Sequence, residues 1–233
     1  KAKRTFQFFP ELEFVHFDFE APNTFGNAFQ GINRVFLLRP PHISDVEKYF
    51  TPSLKVLKKQ QINQIIFLSV QGAEKSKVIP HNKIERLINT FDFESIFIRP
   101  SYFMQNLTTT LADNIKVKRK IILTAGKAKF NWIDIKNIAE VTSILIDRFL
   151  EFKNRKIELT GYENENFYRV TKLINQVISN PIVFKNVNPI NFYRIKKKEG
   201  MVKGMLFVLL MLHFLPRFLK EPAISYFYEK LTS

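Results

Sequence analysis

The feature that most constrains this 233-residue chain is an alternation: short, near-continuous runs of Val, Ile, Leu and Phe are separated by longer segments with helical spacing. Strands that read as unbroken apolar runs are covered on both faces, and amphipathic helices between them do the covering. The runs are Glu13 to Phe17, Arg34 to Leu38, Gln64 to Ser69, Ser95 to Arg99 and Lys156 to Leu159. Between them, Asp45 to Gln61 carries Val46, Tyr49, Phe50, Leu54 and Leu57 at helical spacing, with a break expected at Thr51-Pro52, where a second helix would restart. His81 to Thr90, Ile135 to Phe149 and Tyr168 to Ser179 read as further amphipathic helices. The pattern predicts an α/β fold, a doubly wound and mostly parallel Rossmann-like sheet. After Gly161 strand signals thin out, and Gly200, Gly204 and Pro216 bracket the apolar segment Met205 to Leu215. Residues 1–160 are therefore expected to form the main domain, and residues 161–233 a smaller, mainly helical C-terminal part on the substrate side.

Composition narrows the function. The chain has no cysteine, which removes disulfides, thiolate metal sites and a cysteine nucleophile, and fits a cytoplasmic setting. Its four histidines, His16, His42, His81 and His213, lack metal-ligand spacing, so no metal is expected. No signal-peptide pattern opens the sequence, and the apolar run from Met205 falls short of the ~20 residues a membrane helix needs. The net charge of +15 raises nucleic acid or acidic lipid as partners. Lysines are scattered, however, and only Lys196-Lys197-Lys198 form a tight run, so an ordinary solvated surface is the expectation and nucleic acid is not.

Several short motifs occur in one order. They are Val15-His16-Phe17-Asp18-Phe19-Glu20-Ala21-Pro22, Ala28-Phe29-Gln30-Gly31-Ile32-Asn33-Arg34-Val35-Phe36-Leu37-Leu38-Arg39-Pro40-Pro41, Ile66-Phe67-Leu68-Ser69-Val70-Gln71-Gly72-Ala73, Ile79-Pro80-His81-Asn82-Lys83-Ile84-Glu85, Arg99-Pro100-Ser101-Tyr102-Phe103-Met104-Gln105-Asn106, and Ile133-Asp134-Ile135 with Ile138-Ala139-Glu140, with Leu159-Thr160-Gly161 after them. Together they resemble the NmrA-like family of atypical short-chain dehydrogenases over most of the chain. None of the seven glycines forms the phosphate-binding G-x-G-x-x-G turn with which such a domain opens. The resemblance thus implies that the first strand-turn-helix unit is missing from this chain, and that its C-terminus also stops short.

The resemblance further implies a bound dinucleotide, NADP or NAD, lined by Asp18, Phe19, Leu37, Leu38, Arg39, Pro40, Ser69, Val70, Lys83, Pro100, Ser101, Tyr102 and Phe103. Asp18 would contact the adenine, although a carboxylate there also serves as the cap of a following turn. Lys83 would hold the nicotinamide ribose, where otherwise it is a solvated lysine at a helix start. Lys1, Lys3 and Arg4 tilt the cofactor toward NADP, since they offer cations to a 2′-phosphate. The tyrosine that classical relatives place four residues before the lysine is Ile79 here, which transfers no proton. Lys83 and His81 are then the candidate catalytic residues, His81 either as substitute acid or nicotinamide contact, or as a structural histidine. Two functions remain open at this point: reduction of a small organic acceptor such as a quinone, or dinucleotide sensing through a protein partner without turnover.

Overall fold

A computed structural model of the protein describes residues 8–232. Along the chain β1 (Arg34–Leu38), α1 (Val46–Lys59), β2 (Gln64–Leu68), α2 (Pro80–Thr90) and β3 (Glu94–Pro100) alternate. They are followed by β4 (Tyr102–Phe103), β5 (Lys120–Leu123), β6 (Lys129–Ile133), α3 (Ile135–Asp147), β7 (Arg155–Leu159) and β8 (Asn164–Asn166). Last come α4 (Phe167–Asn175), β9 (Val183–Asn186), α5 (Pro189–Lys198), α6 (Lys203–Phe214) and α7 (Phe227–Thr232). The main sheet has the order β1-β2-β3-β7. Its first pair is parallel, running from Arg34 opposite Gln64 to Leu38 opposite Leu68. This is the mostly parallel α/β architecture that the periodicity predicts.

Packing divides the chain into two compact units, Lys1–Phe97 with Phe152–Arg155, and Ile98–Glu151 with Lys156–Ser233. The division falls inside β3, whereas the boundary drawn at residue 160 marks where the nucleotide-type motifs end. In the first unit α1 and α2 bury Phe50, Leu54, Ile84 and Ile88 with Ile65 and Phe67 of β2, all without solvent exposure. Those side chains recur at three and four residues on the helices, so one face of each is spent on the sheet. In the second unit β4 pairs in parallel with β6, β6 pairs antiparallel with β8, and β5 pairs in parallel with β9. Their shared core includes Phe130, Trp132, Phe167 and Phe192.

Three expectations are corrected. Glu13–Phe17 forms no strand among the described residues, and its Phe17 packs into aromatic contacts, stacking on Phe25 at 5.2 Å and meeting Phe19 edge-on at 4.8 Å. An apolar run signals which side chains are buried, not that backbone groups find a partner strand. The break at Thr51-Pro52 does not occur either, and α1 runs through Pro52. Pro52 removes one backbone donor, yet Val46, Phe50, Leu54 and Leu57 on both sides of it are buried to 2% exposure or less, which holds the two halves in one axis. The fourth helix ends at Asn175, short of Ser179, because the Asn175 amide turns to bond the backbone of Ile182 in both directions.

Candidate functional site

Within the first unit, the candidate residues gather where chain leaves the carboxyl ends of β1 and β2, the edge at which open α/β sheets present ligand loops. At the end of β1, Leu37 is buried while Leu38 is 56% exposed and offers an apolar surface. Arg39 turns back on its own loop: one guanidinium nitrogen donates to the carbonyls of Pro40, Pro41 and Ile43 at 3.0, 3.1 and 2.7 Å. Its Nε–H is buried and has no hydrogen-bond partner among the described residues. After β2, Ser69 is buried and donates its hydroxyl to Glu85 Oε1 at 2.6 Å. Val70 accepts from Ala73 through the tight turn that Gly72 makes at φ +74°.

Helix α2 opens at Pro80 with Ile79 as its cap residue, so no side chain satisfies its first N–H groups. His81 lies in this first turn with its ring stacked at 6.1 Å on Phe67. Burial, and then the nearby Arg39 charge, push the imidazole down to about 4, so it is neutral at physiological pH. Lys83 is exposed and its ammonium has no partner among the described residues. Residues two apart on a helix point to different sides, so the structure does not bring the His81 and Lys83 side chains together. The residue that shares the His81 face, four positions on, is Glu85.

Sequence reasoning therefore missed Glu85, whose signal was the spacing His81 to Glu85, and Asn82, whose side-chain amide donates to Ala73 while its Oδ1 is buried without a partner. Asp18 does cap its turn, accepting the Glu20 N–H on Oδ1 at 2.9 Å, and its carboxylate is exposed. Phe19 is buried against Phe50 with ring centroids 4.5 Å apart, so its side chain belongs to the core. Lys1, Lys3 and Arg4 lie outside the described residues.

The remaining candidates belong to the second unit. Pro100 ends β3 and is buried. Ser101 donates its backbone N–H to Leu159 O and its hydroxyl to Asn131 Oδ1 at 2.7 Å. Tyr102 sends its hydroxyl inward to His213 at 3.0 Å, among Phe130, Trp132 and Phe167, and burial pushes its phenol above the ordinary range. Phe103 is half-buried opposite Ile133. Among the described residues no three His, Asp or Glu side chains stand together as a metal set.

Comparison with solved structures places this architecture. Over 99% of its length the chain superposes on 82% of the triphenylmethane reductase of Citrobacter sp., crystallised with NADP(H), with a TM-score of 0.84 at 16% identity. The chain thus has the mostly parallel α/β, Rossmann-like fold of this reductase. An NADPH-dependent quinone oxidoreductase from Escherichia coli, complexed with NADPH, shares the fold over 93% of this chain and 81% of its own, with a TM-score of 0.76 and 14% identity. In sequence, prestalk A differentiation protein A of Dictyostelium discoideum is 28% identical over 221 residues, 94% of this chain and 66% of that protein. YesF of Bacillus subtilis (strain 168), an uncharacterized oxidoreductase, is 25% identical over 165 residues, 70% of this chain and 57% of its own. The chain thus spans less than two thirds of the length of either relative. No family model matches it. Among the described residues no helix is long and apolar enough to cross a membrane.

Proposed function

We propose that the protein binds NADPH and passes its hydride to a small organic acceptor, a quinone being the representative class, in a cytoplasmic setting. The observation that carries this reading is the donor set at the carboxyl ends of β1 and β2: the orphaned Nε–H of Arg39, the free ammonium of Lys83 and the neutral ring of His81, beside the exposed apolar Leu38. Buried donors without acceptors are rare, and a phosphorylated ribose nucleotide supplies the acceptors and the anionic charge that this set lacks. When bound, the cofactor supplies the hydride. Leu38 would then cover an apolar ring face, Lys83 would hold ribose hydroxyls, and Asp18 would accept from the adenine amine through the carboxylate oxygen not engaged by Glu20. His81, being neutral, would position the nicotinamide end rather than act as an imidazolium acid, and an acceptor that takes its protons from water needs no tyrosine at Ile79.

The NADP(H) complex of the triphenylmethane reductase and the NADPH complex of the quinone oxidoreductase support this assignment by likeness of fold. Its test is NADPH titration followed by fluorescence, then loss of NADPH absorbance on adding a panel of quinones. Lys83→Met should weaken binding while leaving the thermal midpoint unchanged. No NADPH binding by the folded protein would end the proposal. The second reading, a redox sensor acting through a protein partner, is favoured by Ile79 alone. It predicts NADPH binding without turnover and a partner affinity that differs between NADP and NADPH.

A further inference from the structure

Helix α6 contains no polar residue from Met205 to Leu212. It buries Leu206, Leu209 and His213, spaced three and four residues apart, as one core-facing stripe. The rest of its surface is apolar as well and lies open: Met205, Phe207, Val208 and Leu212 are exposed, and the exposure continues through Leu215, Phe218 and Leu219 in the turn beyond, with Phe207 at 61% and Phe218 at 71%. Single exposed apolar side chains are ordinary, whereas a contiguous set of this length marks a surface that something covers.

The charge around this face indicates what. Lys203 opens the helix, Lys197 and Lys198 close α5 before it, and Arg217 and Lys220 follow it, all exposed. The neighbouring acids are already engaged, Glu199 by Lys118 and Lys196 at 2.5 and 2.8 Å, and Glu221 by Lys129 at 2.9 Å. A cavity of about 590 Å³ adjoins the face and shares Arg217 and Leu219 with it, and Lys127, Asn186 and the Lys129–Glu221 ion pair also line it. The Arg217 guanidinium is stacked over Phe214 at 5.4 Å and lies across Gly126, where an added Cβ would come within 2.9 Å of Nε. Exposed aromatic and aliphatic side chains rimmed by uncompensated cations are what an anionic bilayer surface attracts. A second copy of the chain would instead bring the same cations to the same patch.

We propose that the α6 face seats on the surface of an anionic phospholipid bilayer, with Phe207, Val208 and Leu212 at the acyl boundary and the cavity between Lys127 and Arg217 taking a headgroup phosphate. This inference does not depend on the reductase reading, since it concerns other residues and another ligand. The test is co-sedimentation with vesicles of phosphatidylcholine alone and of phosphatidylcholine mixed with phosphatidylserine, at low and raised salt. Binding is expected to the mixed vesicles only and to weaken as salt rises. Phe207→Ser with Val208→Ser should weaken it by at least about tenfold, from the apolar surface no longer withdrawn from water. Lys127→Gln with Arg217→Gln should weaken it by about fivefold per charge removed. All four positions except Arg217, which rests on Phe214, make no core contact, so unchanged Trp132 emission verifies folding. The proposal is overturned by folded protein that ignores both vesicle types or sediments equally with both. It is overturned too if inorganic phosphate binds the cavity while vesicles do not, or if light scattering finds a dimer that Phe207→Ser abolishes, which would give the face to a second copy.

Discussion

The hydroxyl of Tyr102 donates to Nε2 of His213 at 3.0 Å, and Nδ1 of the same ring lies 2.8 Å from the carbonyl oxygen of Leu209. A carbonyl only accepts, so Nδ1 carries the proton and Nε2 is the acceptor, which fixes the neutral tautomer. The pair ties β4 to α6 through a polar bond inside an aromatic core, with Phe130 and Phe167 packed at 5.9 and 5.7 Å from the imidazole. It explains why a helix as apolar as α6 carries a histidine on its buried stripe.

That burial makes the fold acid-sensitive. His213 is pushed from 6.5 to about 4 by desolvation, which outweighs the opposing bond to Leu209. With the folded value below the unfolded one, the unfolded state takes up the proton first. The stability present above about pH 6.5 is thus lost progressively down to about pH 4, where the loss levels off. The loss should be of the order of 2–4 kcal/mol, since each tenfold fall in proton affinity on folding is worth about 1.4 kcal/mol. Urea melts across this window should show it, and His213→Phe should make the dependence shallower, leaving the part that His81, also held near 4, contributes over the same window, while costing about 1–3 kcal/mol at neutral pH through the acceptor lost to the Tyr102 hydroxyl.

Gly161 is required by its neighbours rather than by its backbone angles. A Cβ there would land on the backbone carbonyl oxygen of Trp132, and main chain in a paired strand does not yield as a side chain would. The glycine N–H meanwhile donates to Asn131 Oδ1 at 2.7 Å, the same oxygen that receives the Ser101 hydroxyl. Gly161→Ala should therefore destabilise the second unit by about 3 kcal/mol or more. The chain's single tryptophan, Trp132, whose indole N–H donates to Glu165 O at 2.9 Å, reports the loss through its emission. Wild-type stability in the variant would mean that the close approach at Gly161 is relaxed at little cost.

The main sheet is legible in the sequence because its strands read as near-continuous apolar runs, although only β2 and β3 are buried on both faces: β1 matches its predicted bounds, β2 and β7 differ by a residue at one end, and β3 by a residue at each end. The smaller strands β5, β6 and β9 escape such a reading, since Lys120–Leu123, Lys129–Ile133 and Val183–Asn186 are short and their pairing is long-range, which local periodicity does not encode. Glu13–Phe17 errs the other way, an apolar run that joins no strand among the described residues. At the site, motif order locates Arg39, His81 and Lys83 along the chain. It gives no account of direction: Phe19 and Tyr102 turn into core, and Lys83 and His81 point apart, because helical phase and packing decide where a side chain goes.

The buried bond between Ser69 and Glu85 is the polar tie between the end of β2 and the first turns of α2. Removing the hydroxyl leaves Glu85 Oε1 without this donor in a site that is 3% exposed. Ser69→Ala should cost about 1–3 kcal/mol, measured by urea unfolding of the whole chain. Ser69→Thr, which keeps the hydroxyl, should recover part of the loss. If both variants lose the same amount, volume rather than hydrogen bonding is what the position demands.

The neutral state of His81 yields a prediction about catalysis that separates two roles for the ring. Desolvation is the larger cause of its depression to about 4, with the Arg39 charge second, so the ring stays unprotonated through the range in which an ordinary histidine titrates. If His81 only positions the bound nicotinamide, kcat/KM for NADPH oxidation by a quinone should be level from about pH 5 upward, with no inflection near 6.5. Arg39→Met removes the second cause and leaves the first, so the inflection should rise but stay below 6.5. His81→Asn keeps a polar side chain without an ionising ring, and should raise KM more than it lowers kcat, since positioning is a binding role. A bell whose acid limb falls near 6.5 in the wild type and vanishes in His81→Asn would make the ring a proton donor, and would show that the buried imidazole meets water during turnover.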